Sequence, residues 1–457
     1  MKFGIFYEHQ LPRPWTEESE FETLQNALEQ IEFADALGID YVWEVEHHFL
    51  EEYSHSSAPE VFLAAVSQRT KNIRLGHGIV QTPPPFNHPA RIAERIATLD
   101  LLSNGRVDFG SGESSSEAEL GGFMIDPEHK RDMWEEGLRV AIRCLTETPF
   151  TGHSGKFVTM PPRNVVPKPR QKPHPPLWVA CSRRDTIHLA AQKGLGALSF
   201  AFIDPEDARH WVDDYYTTLA KEGVPMGDAV NANLACVTTF MCHADEDVAL
   251  ERGLEGANFF GYSLAHYYVF GRHAPGATDV WSEFQHRRAE HGFSPEAVQA
   301  ASQNGERLGA KIVEEGDGSA GLRGAIGTPD QVREYLRRYE DCGVDQVIFT
   351  SQAGKNRHEH IMESLELFGR EVLPEFKERD ERLQRDKAQR LERVIETVMA
   401  RKPAEDHPPL PDGYTFPAIP RALADRFGND DFHRMLDDLA EQSAVGPSQL
   451  DELLRGR

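Results

Sequence analysis

The chain has 457 residues, 39% of them apolar, which is enough for a sizeable core and long for a single one. A formal net charge of −25 argues against nucleic acid and anionic membrane surfaces, because a polyanion would be repelled. No apolar run approaches the ~20 residues of a membrane span and no early stretch reads as a leader, while five scattered cysteines without a CxxC pair give no zinc signature; a cytoplasmic protein is expected.

In chain order, apolar strand-like runs alternate with amphipathic helical ones for about 370 residues. Strands are predicted near 2–7, 41–44, 73–80, 107–110, 177–181, 197–200, 235–242 and 346–350. Eight strands with helices between them is the count of a (β/α)8 TIM barrel, and continuous apolar strands suit a parallel sheet covered on both faces. Helices are legible at 22–36, which Gly38 ends, and at 89–102 with Ile92, Ile96 and Leu99 on one stripe. Three segments are too long for simple connections: 111–130, 146–176 and 255–325. The last carries Phe259, Phe260, Tyr262, Tyr267, Tyr268, Phe270, Trp281 and Phe284, either a lid or a satellite core. The barrel is expected to occupy 1–376 and a helical extension 377–457: a charged helix at 375–401, a Pro-rich linker at 403–420, and short helical patterns at 421–428, 431–442 and 447–454.

Glu46-His47-His48-Phe49 lies just past the carboxyl end of the strand at 41–44, the edge where barrel chemistry is done. Adjacent imidazoles point to different sides, so one of His47 and His48 faces the site and the other braces the loop. At 180–186 a strand opens into a helix whose N-terminus suits a phosphate. Ser182 caps and donates, Thr186 lies one turn on, and Arg183 or Arg184 supplies charge; the alternative is an ordinary serine cap with solvated arginines. Glycines in Gly76-His77-Gly78-Ile79 suggest a bulge or close approach to a flat ligand, with His77 facing that cavity or buried in the sheet. "GSGESS" lacks the third glycine of a dinucleotide fingerprint, and His358-Glu359-His360 has its residues turned apart, so no metal is assigned.

The blocks "MKFGIF", "VWEVEHHF", "HPARIAERIATLDLLSNGRVDFGSG", "PLWVACSRRDTIHLAAQKGLG" and "IGTPDQVREYLRRYEDCGVDQV" resemble, in order and spacing, the bacterial luciferase-like flavin-dependent monooxygenase family over residues 1 to 376. The resemblance implies a two-component monooxygenase. A separate NAD(P)H:flavin reductase would deliver reduced FMN, and O2 would oxygenate a small organic substrate through a flavin C4a-hydroperoxide. It implies His47 as the catalytic imidazole with Glu46 orienting it or the loop, and FMN phosphate binding at Ser182 and Thr186, a cofactor site with which the adjoining Cys181 and Arg183 are counted. It also implies His77, Gly78 and Ile79 at the flavin ring with a non-proline cis peptide near Gly78–Ile79, and a homodimer formed through helices near 57–70 and 89–102. One departure stands out. After Phe109-Gly110, luciferases carry a cysteine and then a phosphate-binding arginine; this chain has Gly112 and Glu113. Either Arg183/Arg184 takes over the charge, or the loop faces substrate through Glu113 and Ser114–Ser116. The lid candidates are Phe259 and Tyr262. Rival readings are hydride transfer with the deazaflavin coenzyme F420, a non-catalytic flavin-binding accessory subunit, and a metal-dependent barrel hydrolase.

Overall fold

Eight strands, apolar on both faces, pair in parallel around a closed ring: β1 Lys2–Tyr7, β2 Tyr41–Glu44, β3 Arg74–Gln81, β4 Val107–Gly112, β5 Leu177–Cys181, β6 Gly196–Ser199, β7 Leu234–Cys242 and β8 Gln346–Thr350. The order runs β1 to β7 in sequence, then β8, which pairs with both β7 and β1. This is the predicted TIM barrel. The computed structural model describes residues 1–291, 323–404, 407 and 409–443; the insertion from 292 to 322 and the helical pattern at 447–454 lie outside them.

Strand alternation sorts the side chains into two layers. Phe6, Trp43, Trp178, Leu198, Val237 and Ile348 fill the barrel, where the Trp43 and Trp178 rings meet edge-on at 5.3 Å. Phe3, Val42, Leu75 and Phe109 face outward, beneath the helices. Those helices are α1 Ser19–Leu37, α2 Pro59–Arg69, α3 Pro89–Leu102, α4 Glu117–Gly122, α5 Lys130–Thr146, α6 Arg184–Gln192, α7 Pro205–Glu222, α8 Glu246–Ala265, α9 Val280–His291, α10 Pro329–Cys342, α11 His358–Glu371 and α12 Leu373–Ala400. Gly38 closes α1 with φ 91°, a left-handed conformation natural to glycine. The strand at Ala325–Gly327, too short to be legible, extends the sheet beside β7.

One compact unit runs from Met1 to Glu405, so it includes α12 as well as the barrel. Asp406–Arg457 forms a second unit, in which helices Ile419–Phe427 and Asp430–Ser443 are joined by an Arg421–Asp437 ion pair at 2.8 Å. Among the described residues no helix is long and apolar enough to cross a membrane.

Candidate functional site

A cavity opens at the carboxyl end of the strands. It is bordered by Glu8 after β1, Val45 and His47 after β2, Gly78, Ile79 and Gln81 of β3, Gly112 to Ser115 at the end of β4, Ser182, Arg183 and Thr186 after β5, and Phe200 and Phe202 after β6. Phe260, Leu264 and Tyr268 close it from α8 and the π-helical turn His266–Phe270 that follows.

The shape of the β3 wall follows from a bulge. The β3–β4 register shifts between His77 and Val80, which turns Gly78 and Ile79 toward the cavity. A Cβ on Gly112 would come within 2.6 Å of the Ile79 side chain, so a glycine on β4 makes room for the bulge. The cis peptide expected at Gly78–Ile79 is absent: the cis bonds of the described residues all precede proline, and the bulge itself re-aims the strand. His77 does not face the cavity. It follows Leu75 on the outer face and is fully buried, and that burial pushes its pKa down to about 4, leaving it neutral.

His47 sits between two carboxylates. Its Nδ1 is 3.0 Å from Glu119 Oε1, and its Nε2 is 3.6 Å from Glu8 Oε2. Glu119, on the short helix α4, also accepts the Ser114 hydroxyl at 2.6 Å and the His48 N–H at 3.0 Å, so its position is fixed three ways. Burial alone would discharge His47, but Glu8 and Glu119 outweigh it and lift its pKa to about 9. Burial likewise raises Glu8 to about 7 against the pull of His47. Glu119 is held below its ordinary value, since His47 and its hydrogen bonds overcome the burial penalty.

Glu46 serves the loop rather than His47. It accepts from the Gln81 N–H and the Asn87 amide, each at 2.8 Å, and its Oε1 lies 3.1 Å from His48 Nε2. This ties the loop after β2 to the loop after β3. Of the two adjacent histidines, His47 borders the cavity and His48 packs edge-on against Phe123 at 5.0 Å.

At the other end of the cavity, Ser182, Arg183 and Thr186 stand at the N-terminus of α6. Thr186 Oγ1 accepts the Arg183 N–H at 3.2 Å and donates to the Arg183 carbonyl at 2.6 Å. Arg184 turns away to pair with Asp214. Cys181 is buried on the outer face with its thiol pushed up to about 12 by burial, so it borders no part of the cavity. Glu113 is not a bare anion: Arg131 on α5 grips both its oxygens at 2.8 Å, with Lys130 at 3.6 Å. Arg131 itself borders the cavity, and sequence reasoning passed over it.

The lid candidates Phe259 and Tyr262 belong to a satellite core with Val280 and Phe284. One residue's rotation about α8 separates Phe259, in that core, from Phe260, in the cavity wall. Glu8 and Glu119 were also missed. Glu8 is the first residue past β1, a position barrel geometry marks in advance; nothing local marks Glu119.

A profile described as luciferase-like monooxygenase matches residues 1–346. The oxygenase component of flavin-dependent trigonelline monooxygenase from Acinetobacter baylyi is 25% identical over 387 residues, covering 83% of this chain and 96% of that protein. Two uncharacterized Sinorhizobium fredii relatives are matched over only 64% and 56% of their own length, less than two thirds. Among solved structures, the oxygenating constituent of 3,6-diketocamphane monooxygenase from Pseudomonas putida, a type II Baeyer–Villiger monooxygenase in complex with FMN, aligns at TM-score 0.61 and 20% identity. That alignment covers 82% of this chain and 98% of that one. The coenzyme F420 dependent tetrahydromethanopterin reductase from Methanopyrus kandleri aligns at 0.55 and 22%, covering 82% and 99%. At these identities the likeness is one of fold.

Proposed function

Since the chain belongs to the luciferase-like monooxygenase family, we propose that it is the oxygenase of a two-component system. It would take reduced FMN from a separate NAD(P)H:flavin reductase and use O2 to oxygenate a small organic substrate. The observation that carries this reading is the cavity itself, which joins an imidazole clasped by carboxylates to a cationic helix N-terminus.

The residues present fit a flavin. Ser182, Thr186 and the Arg183 guanidinium at the N-terminus of α6 suit a phosphate, with Arg131 beside them in its pair with Glu113. Val45, Ile79 and Val179, beside Gly78 and Gly112, offer an apolar surface for a flat ring. Bound there, the reduced flavin supplies the electrons that activate oxygen. The chain's own tasks are proton handling and exclusion of water. Glu119 holds Nδ1 of His47, which leaves Nε2 as the nitrogen that gives or takes a proton in the cavity. Phe200, Phe202, Phe260 and Tyr268 wall the space with aromatic surface suited to limiting water around a bound flavin. Homodimerisation through α2 and α3 is part of the proposal, supported by Val61, Leu101 and Leu102, exposed at 66, 47 and 54%. So is a cytoplasmic location.

Hydride transfer with coenzyme F420 is the second reading, favoured by the fold shared with the Methanopyrus enzyme. Anaerobic titration separates the two. Reduced FMN is expected to bind and, after mixing with oxygenated buffer, to be reoxidised on the protein through a transient spectrum unlike that of free flavin. Binding of reduced F420 and not of reduced FMN would overturn the monooxygenase reading. In the coupled assay with a reductase, His47→Ala is expected to keep reduced-FMN binding. Its yield of oxygenated product should fall at least ~100-fold while hydrogen peroxide rises; unchanged partition would sink the role given to His47.

A further inference from the structure

One carboxylate in the cavity wall, Glu8, stands beside the nitrogen through which His47 exchanges a proton. Glu8 is 3% exposed, and its Oε1 accepts the Tyr53 hydroxyl at 3.0 Å. Its Oε2 is buried without a hydrogen-bond partner and stands 3.6 Å from His47 Nε2. On the far side of the ring, Glu119 takes Nδ1, so the imidazole cannot turn away from Glu8. A buried carboxylate oxygen with nothing to accept is costly. Here it borders the very space in which His47 must exchange a proton.

We propose that Glu8 and His47 work as a pair: His47 gives the proton on Nε2 to an oxygen bound in the cavity, and the Glu8 carboxyl group then replaces it. The inference rests on the function proposed above. One proton leaves Nε2 with its acceptor, a second passes from Glu8 Oε2 to Nε2, and nothing is oxidised. The carboxylate left behind keeps the Tyr53 hydroxyl as a donor and is reprotonated from solvent through the cavity mouth. The 3.6 Å gap is outside hydrogen-bond range, so the ring is free to meet a ligand first. A swing of roughly 0.5–1 Å then brings Nε2 to Oε2. Glu8 thus acts through His47, as a positioning residue and proton reserve.

The groups around Glu8 are suited to that role. His47 and Tyr53 face it from the loop after β2, Glu44 from the end of β2 and Tyr268 from the π-helical turn, while Glu119 of α4 lies across the His47 ring. Burial and, less strongly, the like charge of Glu44 favour the protonated carboxyl, while His47 and hydrogen bonding by the Tyr53 and Ser54 hydroxyls favour the ionised one. The two states are close in energy near neutral pH, which is what a proton reserve requires.

The plain alternative is that Glu8 only fastens the loop, since its backbone carbonyl also accepts the Ser54 hydroxyl at 2.8 Å. Carbon-13 labelling of the histidine rings, with His47 assigned by its loss in His47→Asn, separates the two. In the pair, Glu8→Gln lowers the midpoint of the His47 titration by about one pH unit or more, and Glu8→Asp, which also guards against a misfolded Gln variant, restores it in part. The pH profile of oxygen reaction in protein loaded with reduced FMN is expected to lose its limb near neutrality in Glu8→Gln, with a rate about tenfold lower. An unchanged midpoint and an unchanged profile, with reduced FMN still bound, overturn the pair and leave Glu8 a loop fastener. If reduced FMN fails to bind the unaltered protein, the proposed function falls, and the ring titration still decides whether Glu8 and His47 are coupled.

Discussion

At the scale of single residues, the clasp around His47 has a definite pH window. His47 is raised from an ordinary 6.5 to about 9, so its contribution to stability is complete below 6.5 and is lost as the pH climbs through 9. Glu119 is held below its ordinary 4.5, so its contribution is present above that value and is lost as the pH falls through the lower one. The two overlap fully between about 4.5 and 6.5 and fade toward 9. Glu119→Gln strips the charge from a fully buried side chain that holds His47, His48 and Ser114 together. It is expected to cost about 1–3 kcal/mol near pH 6, by the usual price of an unsatisfied buried group. Denaturant unfolding at pH 6 and pH 9.5 checks this: the gap between variant and parent should shrink at the higher pH, and a gap independent of pH would refute the charge argument. His47 was legible from its place past a strand end. Its two partners were not, because their approach is set by loops that come from β1 and β4 and meet only in the folded barrel.

At the scale of elements, the β3 bulge turns one sequence motif into unequal glycines. A Cβ at Gly76 would be driven into the Trp43 indole, a rigid ring packed inside the barrel against Trp178. A Cβ at Gly78 would meet only ordinary contacts, the nearest being Trp43 Cβ at 3.4 Å. Gly76→Ala is therefore expected to lose about 2–3 kcal/mol through overpacking, while Gly78→Ala changes stability by less than about 1 kcal/mol. Equal losses in chemical unfolding would mean that the indole yields. The eight strands themselves were legible because a buried parallel strand needs a continuous apolar run, and each run showed one. Beyond that, the sequence located the bulge through its glycines but not the inward turn of Gly78 and Ile79, which depends on register against β4. Nor did it distinguish Phe259 from Phe260, since both faces of α8 are apolar and only the packing of α9 decides which is the satellite core.

At the scale of the whole molecule, the barrel's two ends do different work. The cavity lies at the carboxyl end; α12 closes the amino end, where packing serves stability. Charges along α12 reach the residues that start the strands: Lys377 pairs with Asp40 before β2 at 2.7 Å, Lys387 with Asp345 before β8 at 2.6 Å, and Asp380 with Lys2 of β1 at 2.7 Å. Beneath them Leu373, Phe376, Leu391 and Val398 are buried, with Phe376 edge-on to Phe3 at 5.3 Å. A sequence dense in charge hides this, because its apolar stripe is thin and its ion pairs are long-range. Four such side chains contribute about 6–12 kcal/mol of gross burial, partly offset by ordering the helix, and without α12 the Phe3 ring and the charges of Lys2, Asp40 and Asp345 lose their partners on that helix. A chain ending at Val372 is therefore expected not to fold. One ending at Glu405 keeps the complete first unit and is expected to unfold cooperatively and, on the proposed function, to bind reduced FMN with the affinity of the full chain. Circular dichroism and the anaerobic titration on both truncations decide the matter. A folded 1–372 chain would show that α12 merely decorates the barrel; loss of flavin binding in the 1–405 chain would show that Asp406–Arg457 takes part in the site.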